Sequence, residues 1–349
     1  MDFALTPEQV MLRDSVARFA GNGARADAWK TFAELGWLAI GAPDAVGGFG
    51  GPVEVLLLME QCGRGLVRSA YVSQAVFAGA ILRATQRADL LAALIDGQRF
   101  TVAYEEPHAR YDPASVEMQA RRDGDGWLLA GTKRRVLDAA TAQTLIVSAR
   151  TNGGVALFTV NADAPNLEAR PFPAEDGSDV ADLRFDGVRV EANALLASHE
   201  DGLALLELGI DHATAALCAE ALGLCEVMLD TTVEYTKTRH QFGVPLSSFQ
   251  ALQHRMAEMY IELELVRSMA YYAASALDGE SDARSRKRAI SAAKAQVAKS
   301  GRFIGQQSIQ LHGAIGMSEE YKIGHYFKRM TMIERLLGDR DFHLRRFAG

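Results

Sequence analysis

The chain has 349 residues, 48% of them hydrophobic and 23% charged, enough for two or three structural layers with an ordinary soluble globular composition. A formal net charge of −7 argues against nucleic-acid binding as a main role, because that needs a basic footprint. Three cysteines are an odd count for a disulfide framework and point to a reducing cytoplasm, with Cys218 and Cys225 seven apart on one helical face.

The N-terminus, Met1-Asp2-Phe3-Ala4-Leu5-Thr6-Pro7-Glu8, has no basic stretch followed by an apolar one, so a signal peptide is not expected. Thr6 is a natural N-cap with Pro7 at the first helical position, and Val10, Leu12, Val16 and Phe19 give an apolar face. A second helix is expected over Asp27 to Leu38, ending near the turn Gly47-Gly48-Phe49-Gly50-Gly51-Pro52. Val53 to Gly63, Ser73 to Leu82 and Ala88 to Ile95 read as three more helices, closed by Gly97.

From Phe100 to about Leu196 short β-rich runs alternate with turn signals. One hairpin is expected across Asp123-Gly124-Asp125-Gly126, and another across Thr151-Asn152-Gly153-Gly154. Asp182 to Val190 reads as two strand pieces around an Asp186-Gly187 turn. Pro107, Pro113, Pro165 and Pro171 are assigned to connections.

After Glu200 four long helical stretches follow: Asp201 to Tyr235, Phe249 to Leu277, Asp282 to Leu311 and Ser318 to Leu337. The basic run Arg284 to Arg288, preceded by Gly279, Glu280 and Asp282, reads as a solvated helix start. No apolar run approaches the roughly 20 residues of a membrane span. The expected fold is α+β in three parts: an N-terminal helical domain (1–99), a small β-barrel or sandwich domain (100–198), and a C-terminal four-helix bundle (199–349).

Two segments carry chemistry. Thr238-Arg239-His240-Gln241-Phe242-Gly243 joins a guanidinium, an amide, an aromatic ring and a glycine between two bundle helices. Such a set can hold a pyrophosphate and an aromatic cofactor. It can equally be a helix C-terminus with favourable cations and a turn glycine. Gln310-Leu311-His312-Gly313-Ala314-Ile315-Gly316 offers the same two readings, and His312 alone is more often a packed histidine than a ligand. No histidine shows metal-ligand spacing, so no metal is expected. There is no Gly-x-Ser-x-Gly elbow, no P-loop and no strand-linked Gly-x-Gly-x-x-Gly.

Taken in order along the chain, these segments resemble the acyl-CoA dehydrogenase family over nearly the whole length. Leu35 to Pro43 with Gly47-Gly48 is similar to its early helix and Gly-Gly turn, and Ala103-Tyr104-Glu105-Glu106-Pro107 to its Thr-Glu-Pro strand. Gly131-Thr132-Lys133 and Asp186 to Val190 fit its β-domain; Thr238 to Gly243, Phe249-Gln250, His254 to Met259 and Gln310 to Gly316 fit its bundle signatures. The resemblance implies FAD between the β-domain and the bundle, touched by Arg239, Gln241 and Phe242. Gln310, Gly313 and Gly316 would approach the ADP moiety of FAD held mainly by a neighbouring subunit, hence a homo-oligomer or a heterotetramer with a related chain.

The family removes the α-proton of an acyl-CoA thioester with a carboxylate while the β-hydride passes to the flavin. Electrons then go to an electron-transfer flavoprotein. The usual glutamate position is Leu337 in this chain, within Leu336-Leu337-Gly338-Asp339. A minority of the family uses the first bundle helix, where the matching position is Ala213. The candidate bases left are Asp211, which is otherwise a solvent-facing helix acid, Glu220, and Glu334 as a third. Arg110-Tyr111-Asp112 replaces the family's Gly-Ser-Asp, and Arg134-Arg135-Val136-Leu137-Asp138 replaces its flavin-covering run. The Leu336-Leu337-Gly338-Asp339 ending and the short length resemble a bacterial subgroup acting on CoA thioesters of steroid side chains and other bulky acids. Three readings remain open: an FAD-dependent acyl-CoA dehydrogenase component, a non-catalytic partner subunit of a heteromeric one, and a flavin-dependent oxidase or monooxygenase on the same fold.

Overall fold

The computed structural model describes residues 4–21, 28–278 and 282–349; the expected helix start at Asp27, the first three residues, and Gly279 and Glu280 lie outside the described residues. In chain order the first helices are α1 (Pro7–Gly21), α2 (Ala28–Glu34), α3 (Pro52–Arg64), α4 (Gly79–Arg83) and α5 (Ala88–Ile95). Strands β1 (Phe100–Ala103), β2 (Gln119–Asp123), β3 (Gly126–Leu137), β4 (Thr144–Thr151), β5 (Gly154–Asn161), β6 (Leu167–Pro173), β7 (Asp179–Val190) and β8 (Leu195–Ala197) follow. Then come α6 (Gly202–Thr238), a small hairpin of β9 (His240–Gln241) and β10 (Val244–Pro245), α7 (Gln250–Asp278), α8 (Ala283–His312), α9 (Lys322–Arg335) and α10 (Arg340–Ala348). The mixture of helices and sheet is the expected α+β class.

These elements form two compact units, one of Met1–Ala26, Gly51–Arg68 and Thr214–Gly349, the other of Asp27–Gly50 and Ser69–Ala213. In the first unit α1 starts as its sequence dictates. The Thr6 N–H donates to Gln9 Oε1 at 3.0 Å and the Gln9 N–H returns to Thr6 Oγ1 at 3.3 Å, a reciprocal capping box. Glu54 closes the start of α3 by accepting the Gly51 N–H at 2.6 Å, and also accepts Gln9 Nε2 at 2.9 Å, tying α1 to α3. Helices α3 and α6 touch backbone to backbone. A Cβ on Gly63 would lie 2.1 Å from the Glu220 carbonyl oxygen, and one on Gly223 2.0 Å from that of Glu60. Only glycine permits that approach.

Asp282 caps α8, its carboxylate accepting the Arg284 and Ser285 N–H groups. The stretch expected as one helix from Ser318 to Leu337 ends at Arg335. Leu337 (φ 59°) and Gly338 (φ 119°) turn the chain left-handed, and Asp339 then caps α10 through the Phe342 N–H. A fifth, short helix therefore joins the four. Helix α6 is long and apolar enough to cross a membrane by length and composition, contrary to the sequence expectation. Interspersed Glu207, Asp211, His212 and Glu220 had masked that run. Its most apolar window is 89% buried inside the protein, as in a core helix.

In the second unit the strands form one eight-stranded sheet, ordered β6-β7-β3-β2-β4-β5-β8, with β1 added in parallel on β4. Its core gathers Trp127, Leu129, Leu145, Val147, Phe158, Leu183, Phe185 and Val188. The Asp186-Gly187 turn is not a turn. β7 is continuous, with Leu129 opposite Val188 and Ala130 opposite Asp186, so Gly187 (φ 71°) is the extra residue of a β-bulge. Nor is Pro171 in a connection: it lies with Pro173 in β6, an edge strand that tolerates a missing N–H. The helix expected over Ser73 to Leu82 is a π-helix from Tyr71 to Ala78 running into α4. Its buried Ser73 hydroxyl donates to the Asp138 carboxylate, and Gln74 Nε2 donates to Thr141 Oγ1 at 3.2 Å. These polar partners hold the widened turn.

Candidate active site

Both sequence signatures meet at one end of the bundle. Tyr235, in the last turn of α6, stacks on His312 at the end of α8 with ring centroids 4.4 Å apart, and its hydroxyl lies 3.4 Å from the His312 carbonyl. Four residues after Tyr235, Arg239 begins the β9–β10 hairpin, whose two-residue loop is Phe242 (φ 55°) and Gly243 (φ 81°). Asparagine or glycine usually fills the first loop position; a left-handed phenylalanine there is a strained choice. The consequence is a ring held in the open, 91% exposed, with an edge contact to Phe249 at 6.2 Å. Arg239 and Gln241 are exposed beside it, and the Arg239 guanidinium makes no ion pair among the described residues.

At the end of α8, Gly313 adopts φ 63°, ψ −140°, a region essentially reserved for glycine, and opens a single turn over Gly313–Met317. A Cβ on Gly316 would press on the Ile309 carbonyl at 3.0 Å, whereas one on Gly313 would meet nothing within 4 Å. Gln310 is exposed beside this turn. His312 is 3% exposed; its Nδ1 faces the Ser308 carbonyl at 2.8 Å, and burial lowers its pKa. It is a packed, neutral histidine. Tyr235, which sequence reasoning passed over, is the residue that gathers the two signatures.

The carboxylates are disposed differently from expectation. Asp211 is fully buried and engaged, not a solvent-facing acid. Glu220, 5% exposed, is gripped by Arg329 with Nε–Oε1 at 2.6 Å and Nη2–Oε2 at 2.8 Å. Glu334 is gripped on both oxygens by Arg302, with Nε–Oε2 at 2.9 Å. A carboxylate with both oxygens taken up by a guanidinium is tied into the fold rather than open to a substrate proton. Arg329 and Arg302 lie about 109 and 32 residues from their partners in sequence, so no local pattern announced them.

Leu337, at the family's usual base position, is 4% exposed, and its turn is fixed from below. Lys294, fully buried in α8, donates to the carbonyls of Leu336 at 2.9 Å, Gly338 at 2.8 Å and Glu334 at 3.3 Å. The Leu337 carbonyl faces His343 Nε2 at 3.2 Å. Burial lowers the Lys294 pKa to about 8, and burial with the neighbouring Lys294 charge holds His343 well below its usual value.

In the sheet unit, Lys133 of the Gly-Thr-Lys run is fully buried. Its Nζ binds Glu106 Oε1 at 2.6 Å and Ser148 Oγ at 2.9 Å, while Glu106 also accepts the Glu117 N–H at 2.7 Å. This pair staples β3 and β4 to the segment after β1. Where the resemblance expects a flavin-covering run, Arg135 (φ 51°) binds Glu105 through Nε at 3.1 Å and Nη2 at 2.6 Å, and sits 5.6 Å from the Tyr111 ring. The bundle end therefore has donors, open rings and glycine-permitted backbone suited to FAD, whereas this face of the sheet unit carries an ion pair. Among the described residues no three His, Cys, Asp or Glu side chains are grouped to hold a metal ion.

The fold and these signatures agree with comparisons to known proteins. Models of the acyl-CoA dehydrogenase N-terminal, middle and C-terminal domains match residues 6–98, 101–188 and 200–348. A probable acyl-CoA dehydrogenase, YngJ of Bacillus subtilis, is 28% identical over 96% of this chain and 95% of its own. Mitochondrial isovaleryl-CoA dehydrogenase of Pongo abelii is 30% identical over 78% of this chain and 73% of its own. A solved structure of the Tcur3481-Tcur3483 steroid ACAD has a TM-score of 0.88 at 31% identity, covering 98% of this chain and 96% of that one. The chain belongs to the acyl-CoA dehydrogenase family, whose members are FAD-dependent oxidoreductases acting on CH–CH groups.

Proposed function

We propose that this chain is a subunit of an acyl-CoA dehydrogenase that works with a related chain, the base coming from that partner. One observation carries the reading: every carboxylate that sequence pattern offers as a base is already committed. Glu220 and Glu334 are clamped by arginines, Asp211 is buried and engaged, and Leu337 stands at the usual position. The similarity to a steroid ACAD built from two chains supports both a heteromer and a bulky CoA thioester as substrate. Three buried free thiols suit a reducing cytoplasm.

Bound FAD would supply the acceptor for the hydride leaving the acyl β-carbon. This chain's part is to hold the cofactor: the Arg239 guanidinium for the pyrophosphate, Gln241 and Phe242 beside it, and Gln310, Gly313 and Gly316 for the ADP moiety. The 1–99, 100–198 and 199–349 segments are the corresponding domains. An exposed apolar stripe on α7 supports an oligomer: Ile261 (60%), Leu265 (38%) and Tyr272 (50%) recur at helical spacing, with Tyr260 (57%) alongside. Electron-transfer flavoprotein is the electron acceptor in this reading.

The test is reduction of flavin by CoA thioesters under anaerobic conditions. The chain alone should not bleach the flavin band with any acyl-CoA, and the co-expressed pair should. Bleaching by the isolated chain at the rate of the pair would overturn the proposal.

A further inference from the structure

Helix α10 lies antiparallel on the first half of α8, and the contacts that fix it run in opposite senses along the two helices. Lys294 Nζ donates to the Gly338 carbonyl at 2.8 Å, and His343 Nδ1 faces Ser291 Oγ at 3.3 Å. Nearest the start of α8, the Arg288 guanidinium lies 4.4 Å over the Phe347 ring. The start of α8 and the end of α10 therefore form one surface. Residues 282–288 and 339–349 carry seven cations against three acids, in a chain whose net charge is −7. Two of those acids are engaged, Asp282 as the cap of α8 and Asp339 as the cap of α10. Arg284, Arg340 and Arg345 are exposed and make no ion pair among the described residues.

Folding alone does not account for this charge. Arg284, Arg286, Lys287 and Arg288 stand in the first two turns of α8, whose first turn holds no acid. The positive end of a helix dipole disfavours cations there, and like charges gathered on one surface repel. Among them Leu344 and Phe347, three apart on α10 and so on one face, remain 42% and 38% exposed. Apolar side chains inside a cationic ring suit a partner that is anionic and apolar at once.

We propose that this surface docks the chain on an anionic phospholipid membrane, with Leu344 and Phe347 entering the boundary between headgroups and acyl chains. Six of the seven cations are arginines, whose planar forks match phosphate oxygens bidentately. A basic helical face with apolar residues at its centre lies on a membrane rather than spanning it. Such binding is reversible and weakens as salt screens the exposed charges. The inference stands apart from the proposed function, since it uses neither the flavin nor the acyl-CoA.

The test is sedimentation of the purified chain with vesicles of phosphatidylglycerol and phosphatidylcholine in equal parts, and with vesicles of phosphatidylcholine alone. The mixed vesicles should bind the chain at low salt and release it at high salt, and the neutral vesicles should not bind it. Each cation near such a surface is worth about fivefold in affinity, so the double variant Arg284→Gln, Arg345→Gln should weaken binding by about tenfold or more. Leu344→Ser should weaken it as well, with the salt dependence unchanged. All three side chains are exposed, and unchanged melting temperatures confirm that the variants fold. Equal binding to both kinds of vesicle, indifference to the double variant, or no binding to either kind overturns the proposal. Binding to polyglutamate without binding to vesicles also overturns it, and assigns the surface to an acidic protein instead.

Discussion

Arg329 holds Glu220 by a two-point clamp, Nε to Oε1 at 2.6 Å and Nη2 to Oε2 at 2.8 Å, with the acid 5% exposed. That geometry turns a candidate base into a tie between α6 and α9. Removing one side of a buried ion pair leaves the other charge uncompensated, at a cost of about 3 kcal/mol. Glu220→Ala should therefore lower unfolding stability by that order in urea titrations. Activity of the surviving folded assembly should change little. A stable Glu220→Ala chain whose partnered assembly has lost turnover would show that the acid acts in the chemistry.

Glu60 sits 8% exposed near Glu226, and burial first, then the Glu226 charge, raise its pKa to about 7. The unfolded chain releases this proton near 4.5, so between there and about 7 the folded form binds more protons and stability falls as pH rises. At pH 8 the charged form costs the fold about 3 kcal/mol. Glu60→Gln should be more stable than the parent at pH 8 and close to it at pH 4. Denaturant midpoints across that range check it, and parallel pH profiles for the two proteins would refute it.

Lys294 satisfies the carbonyls of Glu334, Leu336 and Gly338 without a carboxylate among those contacts. Lys294→Met would keep the buried volume and strand three acceptors, each worth about 1 kcal/mol or more. A loss of about 3 kcal/mol is expected, with faster amide exchange over residues 336–339. Unchanged exchange there would mean that the turn holds itself.

These tests separate what the sequence made legible from what it hid. Helix starts were readable because their determinants are local: Thr6 with Gln9, and Asp282 with Ser285, close within three residues. The family signatures were readable in the same way, as glycines and cations in a fixed order. The π-helix over Tyr71–Ala78 was not, because Asp138 and Thr141 hold it from more than sixty residues away. Nor was the bulge at Gly187, since Asp-Gly signals a turn unless a neighbouring strand keeps pairing past it. The surroundings of the candidate bases were hidden for a related reason: whether Glu220 or Glu334 is open or clamped depends on Arg329 and Arg302, which the fold alone delivers.

Arg239 is exposed and without an ion pair among the described residues, and in the proposed function it is the cation offered to the cofactor pyrophosphate. A charge-assisted bond of about 2 kcal/mol corresponds to a loss of ten- to hundredfold in affinity. Arg239→Ala should weaken FAD retention by the assembled protein to that extent, read as flavin released on gel filtration, without changing its melting temperature measured with FAD absent. Equal retention would place the pyrophosphate elsewhere.

The most direct test of the whole account is the flavin absorption band of the purified chain and of its complex with a related subunit, each titrated anaerobically with bulky acyl-CoA thioesters. The account predicts bleaching by at least one ester in the complex and none in the isolated chain. Full bleaching in the isolated chain, or a flavin-free complex, would contradict it.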